Sequence, residues 1–340
     1  MRRRLPALAT AGLAVLALVA GGIPTALAAF GSRAENGGNS VTAANDFRPP
    51  LVSAVAIQKS TAGSTVAGFV KQGGGYFVYA NVGADTGNPA SGIAGVQANV
   101  ATVTTGSTAV PLVAGSFSAG GVAYGYRSAA LTADAVLAEG AKAFTVSAAD
   151  NAGNASSLGG SVTVDNTTPK ASDVQTTNAG TSGLAEQGDS LLLTLSEPID
   201  PGSVLTGWTG AATSVVVRIV DNGLLGLPLG NDVVQVFDAT NATVLPLGSI
   251  DLGRGDYASG LLGGNLRFGA TGTPSTMSLS GNVLTVVLGT YGSTGLDPVR
   301  GTAAGNGTST WTPTATPYDR AANAMATTAA TETGAADKEF

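Results

Sequence analysis

Apolar residues recur along this chain in short blocks, and the blocks are separated by clusters of Gly, Asn, Asp, Ser and Pro. That is the pattern of strands bounded by turns. Some blocks alternate with period two: Phe144, Val146 and Ala148 share one phase, as do Leu191, Leu193 and Leu195. Others are continuous, notably Tyr76-Phe-Val-Tyr-Ala-Asn-Val82, as expected where both faces of a strand are covered. The pattern predicts strands over 51–57, 76–82, 93–103, 110–113, 122–127, 141–148 and 162–164. After Lys170 it predicts a second series over 171–177, 188–195, 214–220, 232–237, 265–268, 276–279, 283–288, 311–316 and 324–331. One stretch breaks the rule. Residues 131–140 space their apolar positions helically and end in Gly140, so a loop with one turn of helix is expected there. The glycine-rich stretches 221–230 and 259–264 read as linkers.

A hairpin signal closes each series. Asp150-Asn-Ala-Gly153-Asn154-Ala sits between strands in the first, and Asp319-Arg-Ala-Ala-Asn323-Ala echoes it in the second. Asp at the first position accepts backbone N–H bonds two or three residues on, Gly tolerates positive φ, and Asn bonds locally. Asp150, Gly153, Asn154, Asp319 and Asn323 are therefore structural turn residues. They also carry oxygens that calcium can take, but no Asp-x-Asp-x-Asp-Gly spacing occurs, so the turn reading outweighs a metal site. Val162-Thr-Val-Asp165-Asn-Thr-Thr-Pro169 then stiffens the junction, because proline fixes its own φ and holds the residue before it extended.

With Val162 to Pro169 and the Asp150 to Asn154 turn, the first half resembles bacterial immunoglobulin-like domains. Gly188-Asp-Ser-Leu-Leu-Leu-Thr-Leu-Ser-Glu-Pro198-Ile-Asp-Pro201 resembles the same domains in surface-layer and adhesin proteins, with Leu195 where an aromatic is usual. The resemblance implies an all-β chain with two immunoglobulin-like β-sandwich domains in tandem, at 51–166 and 170–331. A polar tail at 332–340 completes the division.

The N-terminus carries Arg2-Arg3-Arg4, an apolar run from Ala7 to Ala20 and a small-residue site at Ala26-Leu-Ala28, the sequence of a secretory signal peptide. Residues 1–28 are expected to be removed by cleavage between Ala28 and Ala29, leaving no stable membrane span. The 29–50 segment is expected to be exposed. Ala29-Phe-Gly-Ser32 with Asn36-Gly-Gly-Asn39-Ser-Val41-Thr-Ala43 resembles the leader of camelysin-type biofilm-fibre proteins, although Arg33 replaces their acidic residue. That resemblance implies a strand lent to a neighbouring subunit. Together these features predict an exported protein, secreted or held non-covalently at the cell surface.

Composition narrows the chemistry. The chain has 340 residues, of which 11% are charged, with neither Cys nor His. Disulfides, thiolate nucleophiles and imidazole bases are thereby excluded. Net charge is −6 and becomes more negative once three arginines leave with the signal peptide, so nucleic acid is not an expected partner. No cofactor and no metal is expected. Glu197 and Asp200 are the acids a hydrolase could use, but their prolines suit a strand exit. Trp208 is the candidate ligand contact, with a core anchor as the plainer alternative. Arg254-Gly255-Asp256 spells a receptor-read tripeptide that is also ordinary turn chemistry.

The expected function is therefore non-enzymatic. It is that of a surface or matrix protein acting by adhesion or self-assembly, with itself, other surface proteins or wall glycan as partners. A wall- or carbohydrate-binding module and a secreted hydrolase are the alternatives.

Overall fold

The computed structural model describes residues 46–340, apart from 88, 226, 228, 261–263 and 293–296. The expected signal peptide, with its expected cleavage between Ala28 and Ala29, and the leader up to residue 45 lie outside the described residues. The fold is all-β: the described residues contain strands, turns and one 3-10 turn at Pro201–Ser203. No described helix is long and apolar enough to cross a membrane.

The N-terminal module is a nine-stranded hydrogen-bonded array in a sandwich-like arrangement. Its strands are β1 (Val52–Lys59), β2 (Phe69–Val70), β3 (Gly75–Val82), β4 (Ile93–Asn99), β5 (Val110–Ala119), β6 (Val122–Ser128), β7 (Leu131–Thr132), β8 (Gly140–Asp150) and β9 (Ala155–Val164). The order is β1-β3-β6-β5-β4-β8-β9-β2, with β7 beside β3. Strand β5 joins the two faces. Its first residues pair with β4 at Gln97↔Pro111 and Ala98↔Val110, and the rest pairs with β6 from Leu112 to Ala119. The ladder is irregular between Ala114 and Phe117, where Gly115 leaves no room for a Cβ beside the Phe117 ring.

The continuous apolar run in β3 has its explanation here. Tyr76, Val78 and Ala80 point into the main core with Ile57, Val96, Phe144, Val146 and Val162. Tyr79 and Phe77 face the other way, into a small cluster with Tyr124 and Phe117. The Arg127 guanidinium lies 4.4 Å from the centroids of both Phe77 and Phe117, covering that outer face. Its cation–π contacts let a charged group roof an apolar patch.

The C-terminal module comprises β10 (Ala171–Thr177), β11 (Ser190–Leu195), β12 (Thr213–Asp221), β13 (Val233–Asp238), β14 (Ser249–Asp251), β15 (Ala258–Ser259), β16 (Gly264–Phe268), β17 (Ser275–Ser280), β18 (Val283–Val287), β19 (Tyr291–Gly292), β20 (Val299–Arg300), β21 (Thr310–Thr312) and β22 (Ala330–Thr331). The main order is β10-β11-β18-β17-β12-β13-β14-β21-β22, and β16 also pairs with β12. Leu191, Leu193 and Leu195 are at most 1% exposed and join Val215, Val217, Ile219, Phe268 and Trp311 in one core. Their alternation with half-buried Leu192 and Thr194 is the period-two signal of the sequence.

Several expectations need correction. Residues 131–140 hold no helix. Leu131–Thr132 pairs with β3, and Asp134 instead accepts the Thr105 N–H at 3.0 Å and its hydroxyl at 2.7 Å. Those bonds pull the segment across the sheet rather than into a helical turn. Strand β4 stops at Asn99 instead of reaching 103, because Val100 to Thr104 form a turn bonded through the Val100 carbonyl. The 311–316 strand ends at Thr312, before Pro313, and the 324–331 strand is confined to Ala330–Thr331. In the other direction, β9 starts at Ala155, well before the expected 162. The Gly159-Gly160 pair hid it from the pattern: a Cβ at Gly160 would strike the Phe144 ring and Val55.

The ends of the described chain are tied to the modules beside them. Asp46 is 4% exposed, and Phe47, Arg48 and Pro49 after it are exposed. At the other end Phe340 is 1% exposed, with its ring 6.1 Å from that of Tyr257, and the Gly307 N–H donates to the Asp337 carbonyl at 2.6 Å. The segment 332–340 is thus tied to the module at its end, while residues 333–337 stay exposed.

Candidate functional site

The two hairpin turns match bond for bond. Asp150 N–H donates to the Asn154 carbonyl at 3.0 Å, and Asp319 N–H to the Asn323 carbonyl at 3.0 Å. Each Asp Oδ1 accepts from the residue two on and the residue four on: Ala152 and Asn154 in one turn, Ala321 and Asn323 in the other, all within 2.8–2.9 Å. Each Asn Nδ2 donates back to its own Asp. The fourth position has positive φ in both, +91° at Gly153 and +76° at Ala322. Asp150, Gly153, Asn154, Asp319 and Asn323 are turn-formers, as their types favour.

The Asn side chains do one more thing. Asn154 Nδ2 reaches the Asp46 carbonyl at 3.1 Å, and Asn323 Nδ2 reaches the Asp165 carbonyl at 2.9 Å. Each turn thus pins the segment leading into its own module. Acids collect at both places. Asp46, Asp85 and Asp150 bring carboxylate oxygens within 4.8 Å of one another, and so do Asp165, Glu197 and Asp319. All-oxygen sets of this kind suit a hard cation such as calcium. The sequence reading found Asp150 and Asp319 but not their partners, because Asp46 and Asp85 come together only through the fold.

In the first set, hydrogen bonds from Arg48 and Ser91 hold the Asp46 carboxyl below its usual range. In the second, burial followed by the charges of Asp165 and Asp319 pushes Glu197 up to about 7. Burial likewise raises Asp319, against the pull of Asn323. Glu197 Oε1 is buried without a hydrogen-bond partner.

Asp200, the other acid of the hydrolase reading, is committed elsewhere. It is 0% exposed, its Oδ2 accepts from Lys59 Nζ at 2.7 Å and from Ser64 Oγ at 2.9 Å, and its Oδ1 accepts from Thr65 Oγ1 at 2.8 Å and Gly202 N at 3.0 Å. Burial would raise its carboxyl, but the Lys59 charge and these bonds keep it low. Glu197 and Asp200 therefore do not flank a substrate as a pair.

Lys59 and Asp200 are the centre of the joint between the modules. Lys59 Nζ also donates to the Arg320 carbonyl and lies 5.5 Å from the Tyr318 ring centroid. Lys71 Nζ donates to the Ala322 carbonyl at 2.6 Å, and Tyr318 OH to the Ala62 carbonyl at 2.9 Å. Arg320 stacks over Phe69 at 5.5 Å. The second turn is therefore gripped by the first module from several sides. Beside the joint is a hollow of about 390 Å³ lined by Gln58, Ser64, Thr65, Ser118, Gly120, Gly121, Gly207 and Thr209. Its lining supplies no acid, base or aromatic ring.

Trp208 borders a hollow of about 320 Å³ with Thr206, Thr209 and Ala212, but little of its ring reaches it. The residue is 6% exposed, belongs to the core with Leu195, Val204 and Met277, and its Nε1 donates to the Ala211 carbonyl at 2.6 Å. The Arg254-Gly-Asp256 tripeptide is closed on itself: Arg254 Nε donates to Asp256 Oδ1 at 2.8 Å and Nη2 bonds the other oxygen. Neither charged end is free for a receptor.

The feature sequence reasoning missed is within the supposed linker 221–230. Leu224 and Leu227 exchange backbone hydrogen bonds at 3.1 and 3.0 Å, forming a tight turn with Leu225 at φ +56°. Four leucines stand out from it: Leu224, Leu225, Leu227 and Leu229 are 47–68% exposed. Its base is tied down, since Asp221 accepts from the Gly223 and Gly260 N–H groups at 2.6 and 2.7 Å. The signal was available: a linker made of Leu rather than Ser or Asp is not a solvated one. No family model matches the chain, and no curated protein matches it in sequence.

Proposed function

We propose that this chain is an exported surface or matrix protein that works by adhesion or self-assembly, without catalysis, through two immunoglobulin-like β-sandwiches in tandem. The observation that carries the reading is the apolar hairpin tip at Leu224, Leu225, Leu227 and Leu229. Exposed apolar side chains gathered on an anchored loop are costly to keep in water and mark contact sites. Two further features support it. The β5 strand passes from one face to the other, as in sandwich folds. The Asp150 and Asp319 turns repeat one closing hairpin in both modules. The signal sequence supplies the export step.

The wall-glycan reading has less behind it, because Trp208, the aromatic it relied on, is in the core. The test is a Leu225→Ser/Leu229→Ser variant of the full chain. Its melting temperature is expected to match the wild type, since both side chains are exposed. Self-association by light scattering and retention of displaying cells on an apolar surface are expected to fall together. Unchanged association and retention overturn the proposal.

A further inference from the structure

A third acidic cluster lies at the packed C-terminal segment, away from both turns. Glu332, Asp337 and Glu339 bring one carboxylate oxygen each within 4.8 Å of one another. Local hydrogen bonds account for only part of this group. Glu332 Oε2 accepts from Ser309 N at 3.0 Å, and Glu339 Oε2 accepts from Thr176 Oγ1 at 2.7 Å. Glu339 Oε1 has no partner, although the residue is 0% exposed. Ser309 Oγ, on a residue that is also 0% exposed, faces Glu339 and makes no other hydrogen bond. Tyr257 OH lies beside the Glu339 backbone and feels the Glu339 charge. No ion pair joins these acids to a Lys or Arg among the described residues.

A buried carboxylate oxygen without a donor is expensive, and two further acids beside it add like-charge repulsion. One species cancels both costs. We propose that Glu332, Asp337 and Glu339 bind a calcium ion, with the Ser309 hydroxyl as a neutral ligand. All the donors are oxygen, as a hard cation requires, and two ligands at about 2.4 Å from one ion lie at most about 4.8 Å apart. Three carboxylates in a partly buried site fit calcium, which sheds water readily, better than magnesium, which keeps its own. The ion fastens Asp337 and Glu339 to Glu332, directly after β22, and so holds the Phe340 ring against Tyr257.

The rival occupant is a proton. Burial, with the neighbouring Glu332, raises the Glu339 carboxyl to about 7, so the two acids can share one hydrogen instead. Equilibrium dialysis of the full chain against radioactive calcium in mildly alkaline buffer separates the two. Asp337→Asn and Glu339→Gln are compared with the wild type. Both leave the Asp46 and Asp165 clusters intact, so any difference belongs to this site. Each is expected to bind one calcium fewer per chain, or to bind it about tenfold more weakly or worse. Calcium is also expected to slow amide exchange over 335–340 in the wild type alone. Asp337 is exposed, so its variant folds and decides the matter even if Glu339→Gln does not. Equal calcium binding by the wild type and the variants overturns the proposal in favour of the shared proton.

Discussion

Lys59 and Asp200, 141 residues apart in sequence, form a 2.7 Å ion pair in which neither side chain is more than 2% exposed. Burial lowers the Lys59 ammonium, and the hydrogen bond and charge of the facing Asp200 carboxylate oppose that shift. The pair spans the two modules. Lys59→Ala would leave the Asp200 charge buried with no counter-ion, which costs about 3–5 kcal/mol. Differential scanning calorimetry is expected to show one transition in the wild type and a second, lower one in the variant. A single unshifted transition would mean that the joint carries no energy.

Asp232 contributes to the pH dependence alongside Glu197 and Glu339, which burial raises into the same range. Asp232 is 0% exposed, one oxygen accepts from the Tyr257 and Ala258 N–H groups at 2.9 Å each, and the other has no partner. Burial raises its carboxyl to about 7, with smaller pushes from Asp221 and Asp256. The folded state therefore holds this proton more tightly than the unfolded chain does. Its contribution is fully present below the ordinary carboxyl range and is lost as pH rises through about 7. Denaturant unfolding in chelator-containing buffer is expected to show stability falling between mildly acidic and neutral pH, with a shallower slope in Asp232→Asn. A slope equal in both proteins would remove Asp232 as the cause.

The turn pair offers a reciprocal exchange. Gly153 at φ +91° is at ease, whereas Ala322 at +76° pays for its Cβ. Ala322→Gly is expected to stabilise the chain by roughly 1 kcal/mol and Gly153→Ala to destabilise it by about as much. Urea midpoints of the two variants check the opposite signs.

Trp208→Ala is expected to cost about 3–5 kcal/mol through the cavity it leaves. Thermal unfolding should reveal that loss before any binding assay does. A variant as stable as the wild type would return Trp208 to the list of contact residues.

What was legible in the sequence was what is local. Leucine alternation located β11, and the Asp-x-Ala-x-Asn echo located both turns, because each turn is closed by its own side chains. The acidic clusters were illegible for the opposite reason: Asp85 meets Asp46 and Asp150 only after β4 and β8 pair. Lys59 gave no signal, as nothing in its neighbourhood hints at Asp200. The helical spacing of 131–140 misled because Asp134 spends its hydrogen bonds across the sheet, on Thr105. Trp208 was ambiguous by type, and only its burial decides.

The short strand β2 runs parallel to β9, pairing Phe69 with Thr163 and Val70 with Val164, and the Asp165 N–H continues the ladder to the Val70 carbonyl at 3.0 Å. This is where the chain leaves the first module. A tension applied along the chain at Asp165 draws β9 lengthwise past β2, so these hydrogen bonds are sheared together instead of being peeled in turn. Under load, the exit of the first module works as a clamp.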